Sequence, residues 1–509
     1  MYTVRARLHL SESEERFLSK CFFIMNTAHN KLVRYAQDRL NALFDDKEYT
    51  DARNTYSKAG FSGKSKDQLS KEDARLRKQL TDIMYSKQAE YGIRKTDLEK
   101  YIKVLQHKYA NYISSHQAQA EVNAVMEGIN KVLYGDGKQL HYKRFNQFDC
   151  IKQKNSTNGV FVMNWHEIRF MSHVYRVSFP ENDYIRDVIA NTNLSTDVVY
   201  SSLKRIEFDS GFRYYVTITL RGSAPKKLVK CDHENRTGID FGTSTIATAS
   251  DDEVNLIELA PKSGEYEKQI RHLQNLVSHS MRVHNPDNYN KNGTVRKGRH
   301  QWVVTKRCRR LKRKIRVLFR KQSAYIRTTH HAFINHLIEA SSEIITEPMN
   351  FKQLQKKSKT TERSDKVSTI KAKDGTEKQI HKYKRKKRFG HSIKNRSPGL
   401  MQSTLKQKAE QYDIPYFEID RNRYRASQLH HDTGEYIRSD LSERMKIISS
   451  HKVQRDLYSA FLISNTDDSL TEPDFKKCIA RFEHFVEMHD SKLAEMRLDG
   501  ITNRPCFGF

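Results

Sequence analysis

The sequence predicts an α+β protein of several domains, and three features carry that expectation. The chain has 509 residues, more than one ordinary hydrophobic core accommodates. Its apolar period changes along the chain, from helical spacing up to residue 133 to strand-like alternation over residues 139–226. Beyond that, short apolar strands alternate with longer helical stretches, as in a layered α/β region.

The opening TVRARLHL alternates polar and apolar residues and reads as one strand. Ser11 or Ser13 is placed to cap the helix that follows, with Glu residues in its first turn. Phe17, Cys21, Met25, Ala28, Leu32 and Ala36 then recur at helical spacing, and residues 65–133 continue as highly charged helix. Residues 11–133 are therefore expected to form a helical module. YKRF, GVFVMNW, EIRF, YRVSF and RIEFDSGFRYYVTITL read as short strands, the last a hairpin with its turn at Asp-Ser-Gly. They form a small β module over residues 134–230, which the opening strand, residues 1–10, is expected to join.

The third region opens with two strands in GIDFGTSTIATASDDEVNLIEL. In WVVTKRCRRLKRKIRVLFRKQSAYI, Val304, Cys308, Leu311, Ile315, Leu318 and Tyr325 keep a seam of alternating three and four, which predicts a long amphipathic helix with a cationic outer face. EIITEPMNF reads as a buried strand ending on Glu347 and stopped by Pro348. Residues 353–397 are Lys/Arg-rich with few apolar residues and are expected to be a basic mobile loop. Ser397-Pro398 starts a helix, IPYFEID is the next strand, VQRDLYSAFLISN is a helix, and residues 466–509 form a helical tail.

Composition narrows the partners. Lys and Arg number 91 against 61 Asp and Glu, a formal net charge of +30 with a pI near 9.7. Such an excess repels itself unless a polyanion neutralises it. Membrane binders gather charge beside a lipid anchor or an amphipathic helix. Here Lys and Arg run through the whole chain among many Tyr and Phe, which favours nucleic acid over a membrane. Cys21, Cys150, Cys231, Cys308, Cys478 and Cys506 are isolated and make no CxxC, so neither a disulfide framework nor a Cys-rich zinc site is expected. The N-terminus lacks the apolar core of a signal peptide, and no apolar run is long enough to span a bilayer. A cytoplasmic, nucleoid-associated setting is expected.

Three carboxylates of the third region point to chemistry. Asp240 lies in its first strand, Glu347 ends a later strand, and Asp456 falls in the first turn of a later helix. Taken singly, each acid is more often structural: a turn former, a solvated strand end, a residue that favours the helix dipole. In this order and with these apolar flanks they match the layout of RNase H-like nucleases. Phosphodiester cleavage uses such a cluster to hold two divalent cations about 4 Å apart, one activating water and the other stabilising the leaving oxygen. Mg²⁺ suits all-oxygen ligands.

At this point a family resemblance emerges. GIDFGTSTIATAS resembles the first RuvC motif of the TnpB family of transposon-encoded nucleases, TEPMNFKQL the second and VQRDLYSAFLISN the third. RIEFDSGFRYYVTITLRG resembles the hairpin leading into that family's nuclease domain, and KRKKRFGHSIKNRSPG its basic segment before the penultimate helix. The resemblance implies an RNA-guided DNA endonuclease, akin to compact type V CRISPR effectors, that binds a guide RNA and a short motif beside the target in double-stranded DNA. It implies that residues 11–133 are a recognition lobe, that residues 1–10 and 134–230 are a barrel-like wedge, and that residues 231–465 are a RuvC-like nuclease domain. Asp240, Glu347 and Asp456 would then be the catalytic, Mg²⁺-binding triad. The family's four-Cys zinc element has no counterpart, because residues 420–455 contain no Cys. His430, His431 and His451 remain there, beside Asp432, Glu435 and Asp440. Adjacent His430 and His431 read as surface residues, so the insertion over 421–452 is expected to lack structural zinc. The second departure is that Glu347 precedes Pro rather than a second acid.

Arg421, Arg423 and Arg425 follow IPYFEID closely and are nucleic-acid candidates, because guanidinium matches phosphate bidentately; a solvated loop is the competing reading. The alternative functions are a transposase acting without RNA, a cleavage-deficient RNA-guided DNA-binding regulator, and a non-catalytic RNA-binding protein. If nucleic acid is the partner, affinity measured by filter binding falls steeply as salt rises, through counterion release. An affinity that salt leaves unchanged contradicts this reading.

Overall fold

In β1 (Tyr2–His9), Val4, Ala6 and Leu8 are buried while Thr3, Arg5 and Arg7 are exposed, the period-two pattern of a half-buried strand. A computed structural model describes residues 1–61, 68–135, 137–155, 159–355, 363–371, 377–383, 389–438, 443–501 and 507. Asp440 and Cys506 therefore lie outside the described residues. The chain divides into two units, Met1–Pro225 and Lys226–Phe509.

The first unit continues with α1 (Glu12–Asp45), α2 (Lys47–Lys58), α3 (Lys71–Glu90), α4 (Lys95–Lys108) and α5 (Ser115–Tyr134). Ser11 caps α1 in a reciprocal capping box with Glu14. Then come β2 (Cys150–Ile151), β3 (Val160–Asn164), β4 (Glu167–Phe170), β5 (His173–Ser178), α6 (Asp183–Asn191), α7 (Leu194–Asp197), β6 (Val198–Phe208) and β7 (Gly211–Leu220). Among the described residues these strands make one antiparallel sheet ordered β2-β6-β7-β1-β5-β4-β3. β1 thus sits between β5 and β7, with the helices inserted after it. The β6–β7 hairpin turns at Asp209-Ser210, and Gly211 follows at φ 142°, a value that favours glycine. α1 does not belong to the helical module alone. Leu18, Cys21, Phe22, Ile24 and Met25 pack into the sheet core, whereas Ala28, Leu32, Val33, Ala36 and Leu40 join a second core with α2–α5. The seam read from the sequence was continuous, and only the packing shows that it serves two cores.

The second unit contains β8 (Arg236–Phe241), β9 (Thr245–Ala249), β10 (Val254–Glu258), α8 (Ser263–Val283), α9 (Lys306–Ala340), β11 (Glu343–Thr346), α10 (Phe351–Leu354), β12 (Arg363–Lys371), β13 (Glu377–Tyr383), α11 (Gly390–Arg396) and α12 (Pro398–Gln411). It closes with β14 (Tyr416–Glu418), α13 (Arg421–Tyr424), β15 (Met445–Ile448), β16 (His451–Gln454), α14 (Arg455–Ser464) and α15 (Phe475–Leu498). Its central sheet is ordered β10-β9-β8-β11-β14, antiparallel on the β9–β10 side of β8 and parallel on the β11–β14 side. The chain is therefore a mixed α/β, multidomain protein. Among the described residues no helix is long and apolar enough to cross a membrane.

Alternate residues of the sheet feed two cores. Ile239, Phe241 and Ile344 pack with Ile334, Leu337 and Ile338 of α9 and Met401 and Leu405 of α12. Ala247, Ala249 and Ile345 pack on the opposite side with Leu457, Ala460 and Phe461 of α14 and Phe482 and Phe485 of α15. This places Gly238 and Asp240, which alternate with Ile239 and Phe241, on the α14 side.

Several expectations are corrected here. Residues 226–230 belong with the second unit, because Lys226 pairs with Asp413 and the Lys227 amide donates to Tyr412. The expected helical tail contains α15, and Cys478, Phe482, Phe485, Val486 and His489 bury it in the sheet's core. Residues 353–397 are not one mobile loop. β12 and β13 pair antiparallel, and Ile393 and Asn395 of α11 are buried. Backbone pairing holds the hairpin, and composition carries no record of that. Residues 356–362, 372–376 and 384–388 of that segment lie outside the described residues. α9 begins at Lys306, after Thr305 caps it, so Val304 precedes the helix; its buried line runs on through Ile326, His330 and Ile334 to Ile338. α8, which pairs with α9, was not anticipated.

Gly238 fixes the approach of α14 to the sheet. A Cβ there would stand 2.2 Å from the Ala460 carbonyl oxygen and 2.3 Å from the Ser464 nitrogen. Both are backbone atoms, so no side-chain rotation relieves the clash. Gly238→Ala is expected to destabilise the second unit by about 3 kcal/mol, the upper end of overpacking costs. A denaturation midpoint equal to that of the parent contradicts this packing.

Candidate active site

The sheet and α14 converge on one place. Asp240 shares a face with Gly238 and looks towards α14. Asp456 lies one helical turn before Ala460, whose carbonyl packs on Gly238. β11 runs parallel to β8 with Thr346 opposite Ile239, and the Glu347 amide donates to the Ile239 carbonyl at 3.4 Å. Glu347 therefore leaves β11 beside Asp240. Three residues far apart in sequence thus come to the same end of the sheet, near enough for Asp456 and Glu347 to act electrostatically on Asp240.

Their electrostatics report the proximity. The Asp240 carboxyl is held well above the usual carboxylate range, first by burial, then by the charges of Asp456 and Glu347, with Arg455 and Arg444 opposing. Burial also raises Glu347, and Arg421 opposes that rise. The arginines are in contact: Arg421 Nε lies 3.2 Å from Glu347, Arg444 Nη1 donates to Asp456 Oδ2 at 3.1 Å, and Arg455 donates to Asp456 Oδ1 from Nε at 3.1 Å and Nη2 at 3.0 Å. The site is a cluster of partly buried acids, each pushed towards its protonated form or matched by a guanidinium.

Of the three candidate arginines, only Arg421 reaches the acids. Arg423 is exposed with Nε 3.9 Å from Asp420, and Arg425, at φ 42°, lays its guanidinium over the Tyr436 ring. Arg444 and Arg455 were missed. Arg455 stood inside the motif read for Asp456, and that adjacency was the available signal. Arg444 had none, because the β15–β16 pairing that carries it back to Asp456 is not visible as a motif; the Arg455 amide donates to the Arg444 carbonyl and extends that ladder.

His431 is corrected from surface to core. It is buried, its ring packs against Phe482 with centroids 4.6 Å apart, and Tyr458 Oη accepts from its amide and lies 2.9 Å from its Nδ1. Burial keeps its imidazole pKa below the ordinary value. Asp432 accepts from the Ser449 amide and hydroxyl, and His451 faces Glu483. These residues brace the insertion.

The donor set fits a hard divalent cation. All three acids offer oxygen only, and the like-charge crowding that lifts Asp240 is what a bound cation relieves. Asp240, Glu347 and Asp456 would hold it after drawing closer, since their carboxylate oxygens do not all lie within 4.8 Å of one another, and Arg444 and Arg421 would have to yield at least part of their pairing.

No protein-family model matches the chain, and no curated protein matches it. Among solved structures, a Cas12f1–sgRNA–target DNA complex aligns at TM-score 0.43 and 10% identity, covering 91% of this chain and 98% of that one. A CRISPR-Cas12f ternary complex aligns at TM-score 0.25 and 12% identity, covering 91% and 99%. The mini RNA-guided endonuclease CRISPR-Cas_phi3 aligns at TM-score 0.31 and 11% identity, covering 92% of each chain. At these TM-scores the likenesses establish neither fold nor activity.

The raised Asp240 pKa sets a sign for stability. The native state holds this proton more tightly than the unfolded chain, whose Asp titrates near about 3.9. The contribution is favourable below that value and is lost as pH rises through the elevated native pKa. Ionised Asp240 is therefore a liability in metal-free protein at neutral pH. Asp240→Asn is expected to raise the Tm in chelator at neutral pH, with the advantage fading below about pH 4. A Tm at or below that of the parent at neutral pH contradicts the crowding.

Proposed function

We propose that this protein is an RNA-guided, Mg²⁺-dependent DNA endonuclease of the TnpB-like kind, cutting at one RuvC-like site formed by Asp240, Glu347 and Asp456. The observation that carries the reading is their convergence at the end of β8, where Asp456 and Glu347 both bear on the carboxyl of Asp240. The mixed sheet, with its first acid on the central strand, supports an RNase H-like nuclease unit. The net charge of +30 supports polyanionic partners. The order of the three motifs and the hairpin before them supports the guided mechanism.

When bound, Mg²⁺ supplies an activated water and charge stabilisation for the leaving oxygen. The chain's own residues do the rest. The three carboxylates would hold the cation from different elements, β8, the end of β11 and the first turn of α14. Arg455, buried and anchored to the Glu443 carbonyl at 3.1 Å, holds the Asp456 carboxylate in place. Arg421 has an exposed side chain and can pass its donors from Glu347 to an arriving phosphate.

Protein purified from its native locus is expected to carry a discrete RNA with a variable end, and DNA matching that end is expected to be cut in Mg²⁺. Asp456→Ala should lower the cutting rate by more than about 100-fold, since loss of a mere supporting partner already costs 10–100-fold, while RNA still copurifies. Undiminished cutting by the variant overturns the site. Absence of a discrete RNA overturns the guided mechanism.

A further inference from the structure

At the far end of β8 from Asp240, the lead-in segment gathers donors of a different kind. Cys231 Sγ lies 3.5 Å from His233 Nδ1, and His233 Nδ1 lies 3.1 Å from Asp232 Oδ1. One ligand atom from each of the three residues falls within 4.8 Å of the others, the one such group of His, Cys, Asp or Glu among the described residues. Asp252, from the β9–β10 turn, reaches His233 Nε2 at 2.7 Å.

These distances match a cation chemistry. With Zn–S near about 2.3 Å and Zn–N and Zn–O near about 2.0–2.2 Å, tetrahedral angles put N and S about 3.5 Å apart and N and O about 3.3 Å apart. The sulfur–nitrogen and nitrogen–oxygen edges are thus already formed. The second ring nitrogen faces a carboxylate, the arrangement that fixes the tautomer and orientation of a metal-binding histidine. Asp252 belongs to a separate turn, so the histidine is oriented by an element outside the tripeptide. That turn is itself tied to α15, because Arg481 pairs with Asp251 and His484 Nε2 donates to the Asp251 carbonyl.

We infer that Cys231, Asp232 and His233 form a surface site for a thiophilic divalent cation such as Zn²⁺, with Nδ1 of His233 as ligand, Asp252 orienting the imidazole through Nε2, and water completing the tetrahedron. Cys231 binds as thiolate and releases its proton to solvent, and no electron transfer is involved. The site lies outside residues 420–455, and a Cys-Asp-His tripeptide offers no CxxC spacing to betray it. It is separate from the acid cluster: four strand residues, roughly 13 Å, part Arg236 from Asp240. The all-oxygen cluster prefers Mg²⁺, whereas this sulfur- and nitrogen-bearing set rejects it. Binding would fasten the entry of β8 to the β9–β10 turn.

The test uses full-length protein, reduced with a non-chelating phosphine and titrated with Co²⁺ as a spectroscopic stand-in for Zn²⁺. The expected result is a saturable thiolate-to-cobalt charge-transfer band with tetrahedral visible absorption, displaced by Zn²⁺. Cys231→Ser should abolish the band, and Asp252→Asn should weaken Co²⁺ affinity by about 10–100-fold. Asp240→Ala should leave the band unchanged, which separates this site from the acid cluster whatever becomes of the nuclease reading. No band in the parent protein, or a band that survives Cys231→Ser, overturns the inference.

Discussion

The candidate site in the second unit turns on like charges brought near one another at the end of one strand. A carboxyl partly buried near two others is unfavourable, yet three separate elements, β8, the end of β11 and α14, supply the three acids. α14 comes close enough to present Asp456 because Gly238 has no side chain. β11 runs parallel to β8 at a register that delivers Glu347. The charge is offset by Arg421, Arg444 and Arg455, each from a different position in the chain. A fold selected for stability alone would place apolar residues there. A cation held there would relieve that repulsion.

The surrounding structure keeps that point rigid. His489 of the last helix accepts from the Gln454 amide at 2.8 Å, and the Gln454 side chain in turn caps α14 by accepting from Leu457 at 2.7 Å. The C-terminal helix thereby sets the start of the helix that carries Asp456. Tyr424 and Tyr458 perform a similar task from inside the core: Tyr424 donates to the Leu462 carbonyl, and Tyr458 binds His431. The insertion between β14 and α14 returns Arg444 to the acids through a two-stranded ladder. Without cysteines to clamp it, the insertion is held by buried histidine, tyrosine and phenylalanine contacts.

Much of this was legible in the sequence, for physical reasons that also mark the limit. Period-two alternation exposed β1, and the Asp-Ser-Gly turn exposed the β6–β7 hairpin, because both signals are local. Asp240, Glu347 and Asp456 could be read as a set because each sits at the end of, or beside, a short apolar element, and the structure gives the first two neighbouring strands and the third the helix that packs on them. What stayed hidden depends on pairing at a distance. The division of α1 between two cores, the docking of α15, and the burial of His431 are matters of which surface meets which, and residue order does not record that. The β12–β13 hairpin was hidden for a related reason: its backbone ladder asks little of its side chains, so a charged, apolar-poor stretch read as loop. Arg444 illustrates the general case, since a counter-ion for an acid can arrive from any strand the fold brings near.

The most direct test of the account is the anomalous scattering of Mn²⁺ soaked into crystals of the protein. The account predicts a peak bounded by carboxylate oxygens of Asp240, Glu347 and Asp456, with the Arg444 and Arg421 guanidiniums drawn off Asp456 and Glu347. Acids still paired with their arginines and no manganese between them, at concentrations that saturate ordinary Mg²⁺ enzymes, would contradict it.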